Sequence, residues 1–93
     1  MTLIARFRAG EICAMVGTGK GTKHPKTLWI FITDTEWRHF TMQGEEIQYW
    51  GIVAKALADG FGENRMSLKE SGLRALTDEE AGEIALWKVT DGT

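Results

Sequence analysis

The sequence predicts an α+β fold: an antiparallel sheet of four or five strands with one main helix, residues 45–59, packed on one face. Three observations carry that prediction. Apolar residues alternate with polar or basic ones in short runs before residue 17. The segment "KTLWIFIT" is apolar on both alternating sets. A helix-spaced apolar stripe follows it, Ile47, Trp50, Ala54, Leu57 and Phe61.

In chain order, Leu3, Ala5 and Phe7 alternate with Ile4, Arg6 and Arg8, which predicts a first strand with one basic face. Ala9-Gly10-Glu11 supplies a turn into a second short run, "EICAMV", and the two together read as a hairpin. A glycine- and lysine-rich connection, Gly17 to Lys26, closes on the chain's one proline. Leu28, Ile30 and Ile32 on one side and Trp29 and Phe31 on the other then predict a central strand covered on both faces. "DTEWRHFTM" alternates well enough for a fourth strand, while Thr33-x-x-Glu36 also spells a cap for a single helical turn.

In the main helix, Glu45 and Glu46 sit in the first turn, where the helix dipole favours negative charge, and Gly60 supplies a stop. Ser67-x-x-Glu70 and Thr77-x-x-Glu80 are both capping-box spellings and predict one or two short helical segments between Ser67 and Gly82. The last run, "GEIALWKV", bounded by Gly82 and by Asp91-Gly92, reads as a final strand, with a continuous helix from Thr77 as the alternative.

Ninety-three residues allow one domain, spanning 1–93. A chain of this size buries roughly 60–65% of its unfolded surface, which leaves room for one modest core and little for a deep, walled pocket. With 43% hydrophobic and 26% charged residues the composition is that of a folded globular domain and not of a disordered chain. A single cysteine, Cys13, excludes an intramolecular disulfide and fits a reducing compartment. Arginines stand where a signal peptide needs its apolar stretch, and no apolar run approaches the ~20 residues of a membrane helix. The expected location is therefore the cytoplasm, with no membrane partner.

The stretch "GTGKG" looks built to hold a phosphate, but its spacing fails. A phosphate-binding loop would need glycine at position 14, which is Ala14, and a hydroxyl directly after Lys20, where Gly21 stands. His24-Pro25 also lead into a strand where a helix should open. What remains is a solvated, flexible connection carrying Lys20, Lys23 and Lys26. Such lysines attract acidic surfaces or phosphate backbones without fixed geometry.

The net charge of −2 is unevenly divided. Residues 1–40 carry six basic and three acidic side chains, residues 41–93 five basic and ten acidic. That split predicts a basic front formed by Arg6, Arg8 and Arg38 together with the loop lysines. Four tryptophans are a heavy load for this length. Trp29 and Trp50 lie on inward-pointing patterns, whereas Trp37, between Glu36 and Arg38, is the candidate exposed anchor.

No catalytic set is expected. On one continuous strand His39 faces away from Asp34 and Glu36, so these three make no metal site. Cys13 lies in an apolar run, where a thiol is inert. No cofactor is implied. The function expected is that of a non-enzymatic protein-binding module, a stoichiometric inhibitor or adaptor that occupies a surface of a host or phage protein or protein complex. Its candidate contact residues are Lys20, Lys23, Lys26, Arg6, Arg8, Trp37 and Arg38. Short, acidic, motif-poor proteins of this kind occur among phage and mobile-element inhibitors, the anti-CRISPR class included, a likeness of size and style carried by no motif. Nucleic-acid binding through the basic strand and loop is the alternative. A homo-oligomeric structural subunit is the third reading, and monomer and homodimer both remain open.

Overall fold

The computed structural model describes residues 4–42 and 44–90, with the backbone alone for 35–41 and 88–90. Its five strands are β1 (Ile12–Met15), β2 (Trp29–Thr41), β3 (Gly44–Ala56), β4 (Gly60–Lys69) and β5 (Leu73–Arg74). They form one antiparallel sheet in the order β4-β3-β2-β1-β5, followed by the one α-helix among the described residues, α1 (Asp78–Thr90). The α+β class and the strand number are those the sequence predicts.

The position of the helix is not. Residues 45–59, predicted as the helix, are instead β3 up to Ala56, paired with β2 on one side and β4 on the other, and a 3₁₀ turn over Leu57–Asp59. The physical reason lies in a second period within the same letters. Ile47, Tyr49, Gly51 and Val53 alternate at strand spacing, and the segment is rich in the β-branched and aromatic residues that suit a pleated surface. Trp50, Ile52 and Ala54 then fall on the opposite face.

Residues 82–90, read first as a strand, continue α1, which is the alternative the Thr77 cap allowed. The capping box forms in full. The Glu80 amide donates to Thr77 Oγ1 at 3.2 Å, and the Thr77 amide donates to Glu80 Oε1 at 3.0 Å. Ser67, by contrast, lies within β4, and Glu70 opens a single 3₁₀ turn over residues 70–72. The predicted first strand does not form over its described residues. Residues 4–11 are irregular, and this segment hydrogen-bonds to β2 through the Gly10 amide to the Ile32 carbonyl and the Ile32 amide to the Glu11 carbonyl. Leu3, Asp91 and Gly92 lie outside the described residues.

The two strands predicted within 27–42 are one. Between Ile32 and Asp34, and again between Asp34 and Trp37, β2 contributes one residue more than β3 does, so two bulges bend the strand and together restore its alternation.

Each face of the sheet carries its own core. Cys13, Ile30, Ile32, Ile47, Tyr49, Leu68 and Leu73 line the first, sealed by Phe7 and Ala5 from the N-terminal segment. Trp29 and Ala54 line the second, which α1 covers with Ile84 and Trp87. Glu80, Ile84 and Trp87, four and three residues apart, are the inward side of that helix. Burying both faces is why β2 and β3 are apolar on both alternating sets.

Gly51 lies at the centre of the first core. A Cβ there would stand 2.9 Å from Ile30 Cγ2 and 3.0 Å from Leu68 Cδ1, side chains of the two flanking strands that meet across it. Gly51→Ala is therefore expected to cost about 2 kcal/mol through overpacking, read as a lower midpoint in urea unfolding with an unchanged slope.

Candidate functional site

Two surfaces carry exposed charged and aromatic groups, and the first is the loop 17–26 that joins β1 to β2. It is not the flexible finger its composition predicts. Thr18 Oγ1 donates to the Met15 carbonyl at 2.8 Å and accepts the Leu28 amide at 3.0 Å. The Gly19 amide donates to the His24 carbonyl, and Thr22 Oγ1 closes onto the Gly19 and His24 carbonyls. Threonine hydroxyls thus satisfy a backbone that has no ladder to join.

The loop is also fastened from outside. The Arg74 guanidinium on β5 donates to the Thr18 carbonyl at 2.8 Å and forms a two-pronged pair with Glu80, at 2.7 and 2.8 Å. Thr27 Oγ1 donates to the same carboxylate at 2.5 Å. Gly19 lies flat on this cluster, with φ +116° and only 2.6 Å between an ideal Cβ and Arg74 Nη2, so no side chain fits there. Glu80 is 6% exposed. The Arg74 guanidinium holds its carboxyl down at about 2, against the ordinary 4.5, and the Thr27 hydroxyl and Thr77 amide act in the same direction. Glu80 in turn raises the Arg74 pKa above its usual value.

Between the pinned loop and the first turn of α1 lies an open cleft of about 800 Å³. Lys20 and Lys26 stand on one wall, Asp78, Glu79 and Glu83 on the other, with Trp29 at its floor. Lys20 Nζ lies 3.9 Å from Glu79 Oε2, both side chains largely in solvent, an arrangement worth little energy.

The predicted basic front is divided. Lys20 and Lys26 line the cleft beside α1, interleaved with carboxylates, and Lys23 is exposed on the same loop. Arg6 and Arg8 belong to the segment that seals the opposite face. The Arg6 guanidinium lies over the Phe7 ring at 5.2 Å, and Arg8 is exposed. Trp37 and Arg38 pair through their backbones with Gln48 and Ile47, and their side chains lie outside those described.

The second surface was not foreseen. Trp50, predicted to be core, is 37% exposed, because β3 is a strand and this position falls on the face that α1 covers only in part. The Arg65 guanidinium stacks 5.4 Å from its ring centroid, and Asp34 pairs with that guanidinium from β2. Thr33 Oγ1 donates to the Trp50 carbonyl at 3.2 Å. Three adjacent strands thus hold an indole, a guanidinium and a carboxylate side by side. The sequence signal was present in the pairing of β3 with β4, but it depends on reading 44–56 as a strand.

Cys13 is fully buried, and burial, then the nearby Glu11, raises its thiol pKa to about 12, so it stays protonated and inert. Among the described residues no three His, Cys, Asp or Glu side chains are grouped to hold a metal, and no helix is long and apolar enough to cross a membrane. Comparison with known protein families, with curated proteins and with solved structures gives no match.

Proposed function

We propose that this chain is a non-enzymatic protein-binding module that acts by occupying a partner's surface, in the manner of a stoichiometric inhibitor of the phage or mobile-element kind. The observation that carries this reading is the Trp50–Arg65–Asp34 cluster. Tryptophan and arginine are the residue types that dominate interface energetics, and here the arginine is held in place before any partner arrives. A pre-ordered anchor of this sort loses little rotamer freedom on binding.

The charge layout supports a protein partner over a nucleic acid. Lys20 and Lys26 share their cleft with Asp78, Glu79 and Glu83, and Arg6 and Arg8 lie across the sheet, so the cations do not form the continuous basic stripe that tracks a phosphate backbone.

The test is affinity capture from cells that carry the natural partner, with the wild-type chain, Trp50→Ala, Arg65→Ala and the triple reversal of Lys20, Lys23 and Lys26 to glutamate as baits. One specific protein is expected to co-purify with the wild-type chain. Trp50→Ala should weaken its binding by about tenfold or more, with the unfolding midpoint close to wild type. Capture of nucleic acid that falls steeply with salt and vanishes in the lysine reversal would instead establish the alternative reading.

A further inference from the structure

We propose that residues 4–9 form a strap that lifts off the first core as a unit while the sheet stays intact, presenting an apolar sheet face and the Cys13 thiol to solvent. The hydrophobic residues of that core lie on strands, apart from Ala5 and Phe7. Among the described residues the strap is therefore the cover of this face. The opposite face is covered by a thirteen-residue helix that the Arg74–Glu80 pair fastens to β5.

The strap is held by few bonds, and none of them belongs to a ladder. Two side chains of the sheet side receive its backbone. The Tyr49 hydroxyl accepts the Arg6 and Phe7 amides, and the Glu70 carboxylate shares the Arg6 amide at 3.3 Å. One ring, Phe7, is inserted, whereas Ile4 is 80% exposed and Arg6 and Arg8 stand in solvent.

Immediately after the strap the chain is fixed again. The Gly10 amide donates to the Ile32 carbonyl at 2.8 Å, and the Glu11 carbonyl accepts the Ile32 amide at 2.9 Å. Between the two regimes lies a tight turn, closed by the Glu11 amide on the Arg8 carbonyl, with Gly10 at φ +94°. A segment with a single anchoring ring and a glycine turn at its base belongs to the low-stability end of a fold, and its release breaks no strand pairing.

Cys13 reports the release. It is fully buried in the closed form; burial acts first on its thiol, then the charges of Glu11 and Arg6, so the strap passes close to the sulfur. With the strap lifted, that burial is gone and the thiol forms the thiolate, which is the reactive species.

The experiment is labelling of Cys13 by an aromatic disulfide, in which the thiolate displaces one coloured thiolate from the reagent, at constant pH and at urea concentrations below the unfolding transition. The wild-type thiol is expected to react about a hundredfold faster in native buffer than global unfolding allows, with a shallower urea dependence, because lifting the strap exposes less surface. Phe7→Ala should speed the reaction by about tenfold or more, and the milder Phe7→Leu by less. Ile84→Ala, in the second core, should lower the unfolding midpoint and leave labelling in native buffer unchanged. Hydrogen exchange at the Phe7 amide should give the same opening equilibrium as the thiol. A thiol that reacts no faster than global unfolding allows, or that Ile84→Ala accelerates in proportion to the stability lost, overturns the proposal. So does labelling indifferent to both Phe7 variants, or a Phe7 amide whose opening equilibrium differs from that of the thiol.

Discussion

Arg74→Ala is expected to destabilise the fold by about 3 kcal/mol, the lower end of what removing one member of a buried ion pair costs. The cost arises because the Glu80 side chain, 8% exposed, would keep its charge position without the guanidinium that neutralises it. Thr18 would lose the donor to its carbonyl, and the support beneath Gly19 would go with it. Arg74→Lys keeps the charge but not the two-pronged geometry and should fall between the wild type and the alanine variant. Adding Glu80→Gln to Arg74→Ala should recover part of the loss, since glutamine is neutral and its amide oxygen still accepts the Thr77 amide. Urea unfolding of the wild type, Arg74→Ala, Glu80→Gln and the double variant closes a double-mutant cycle, and strictly additive effects would show that the pair is not coupled.

The same pair sets the acid limit. Glu80 has a folded pKa of about 2 against an ordinary 4.5, so the folded state binds its proton less tightly than the unfolded chain does. Its contribution is therefore complete above pH 4.5, declines as pH falls from 4.5 towards 2, and is gone below that. The displacement corresponds to about 3 kcal/mol. Arg74→Ala should flatten the decline in stability across this window. A wild-type chain whose stability did not change between pH 5 and pH 2 would contradict the assignment.

The capping box was legible because it is local: Thr77 and Glu80 are three residues apart, and the spelling alone places the helix start. The second use of Glu80, by Arg74 and Thr27, was not. Thr27 is fifty-three residues away, and only the return of the chain through β5 brings it near. The misplacement of the main helix has a related origin. Residues 44–56 satisfy both periods, and the tie is broken by β2 and β4 on either side, which no window of thirteen residues contains. Glu45 and Glu46 matched a helix dipole, yet Gly51 sat in the middle of that supposed helix at a cost of about 1 kcal/mol, a warning the stripe outweighed. In the N-terminal segment the inward positions Ala5 and Phe7 are as predicted and the element is not. Phe7 and Ala5 do pack on the core, but as an irregular cover over one face. The loop misled in the opposite sense, since its glycines permit the tight path while its threonines and Arg74 fix it. Trp50 emerged at the surface for the same reason that β3 became a strand.

Tyr49→Ala is expected to cost about 4 kcal/mol, the usual range for truncating a large buried side chain, and Tyr49→Phe about 2 kcal/mol of that. Tyr49 is fully buried at the centre of the first core, edge-on to Phe7 with ring centroids 5.6 Å apart. Its hydroxyl accepts the amides of Arg6 at 3.0 Å and Phe7 at 3.3 Å and donates to Glu70 Oε2 at 2.5 Å. Residues 4–9 belong to no strand, so this oxygen is what fixes their backbone over the sheet. Removing it leaves the Phe7 amide short of a partner and takes one donor from the Glu70 carboxylate, which keeps the Arg6 amide at 3.3 Å. Burial, then the bond to Glu70, raises the phenol to about 12 from an ordinary 10, so it stays neutral and its bonds persist in mildly alkaline solution. As Tyr49 is the one tyrosine of the chain, phenolate absorbance reads this group alone. A midpoint near 12 in the folded chain, moving to about 10 in denaturant, is the expected titration. In Tyr49→Phe the amide of residue 7 should also exchange with solvent faster than in the wild type, and equal protection in the two chains would show that the hydroxyl does not hold the segment.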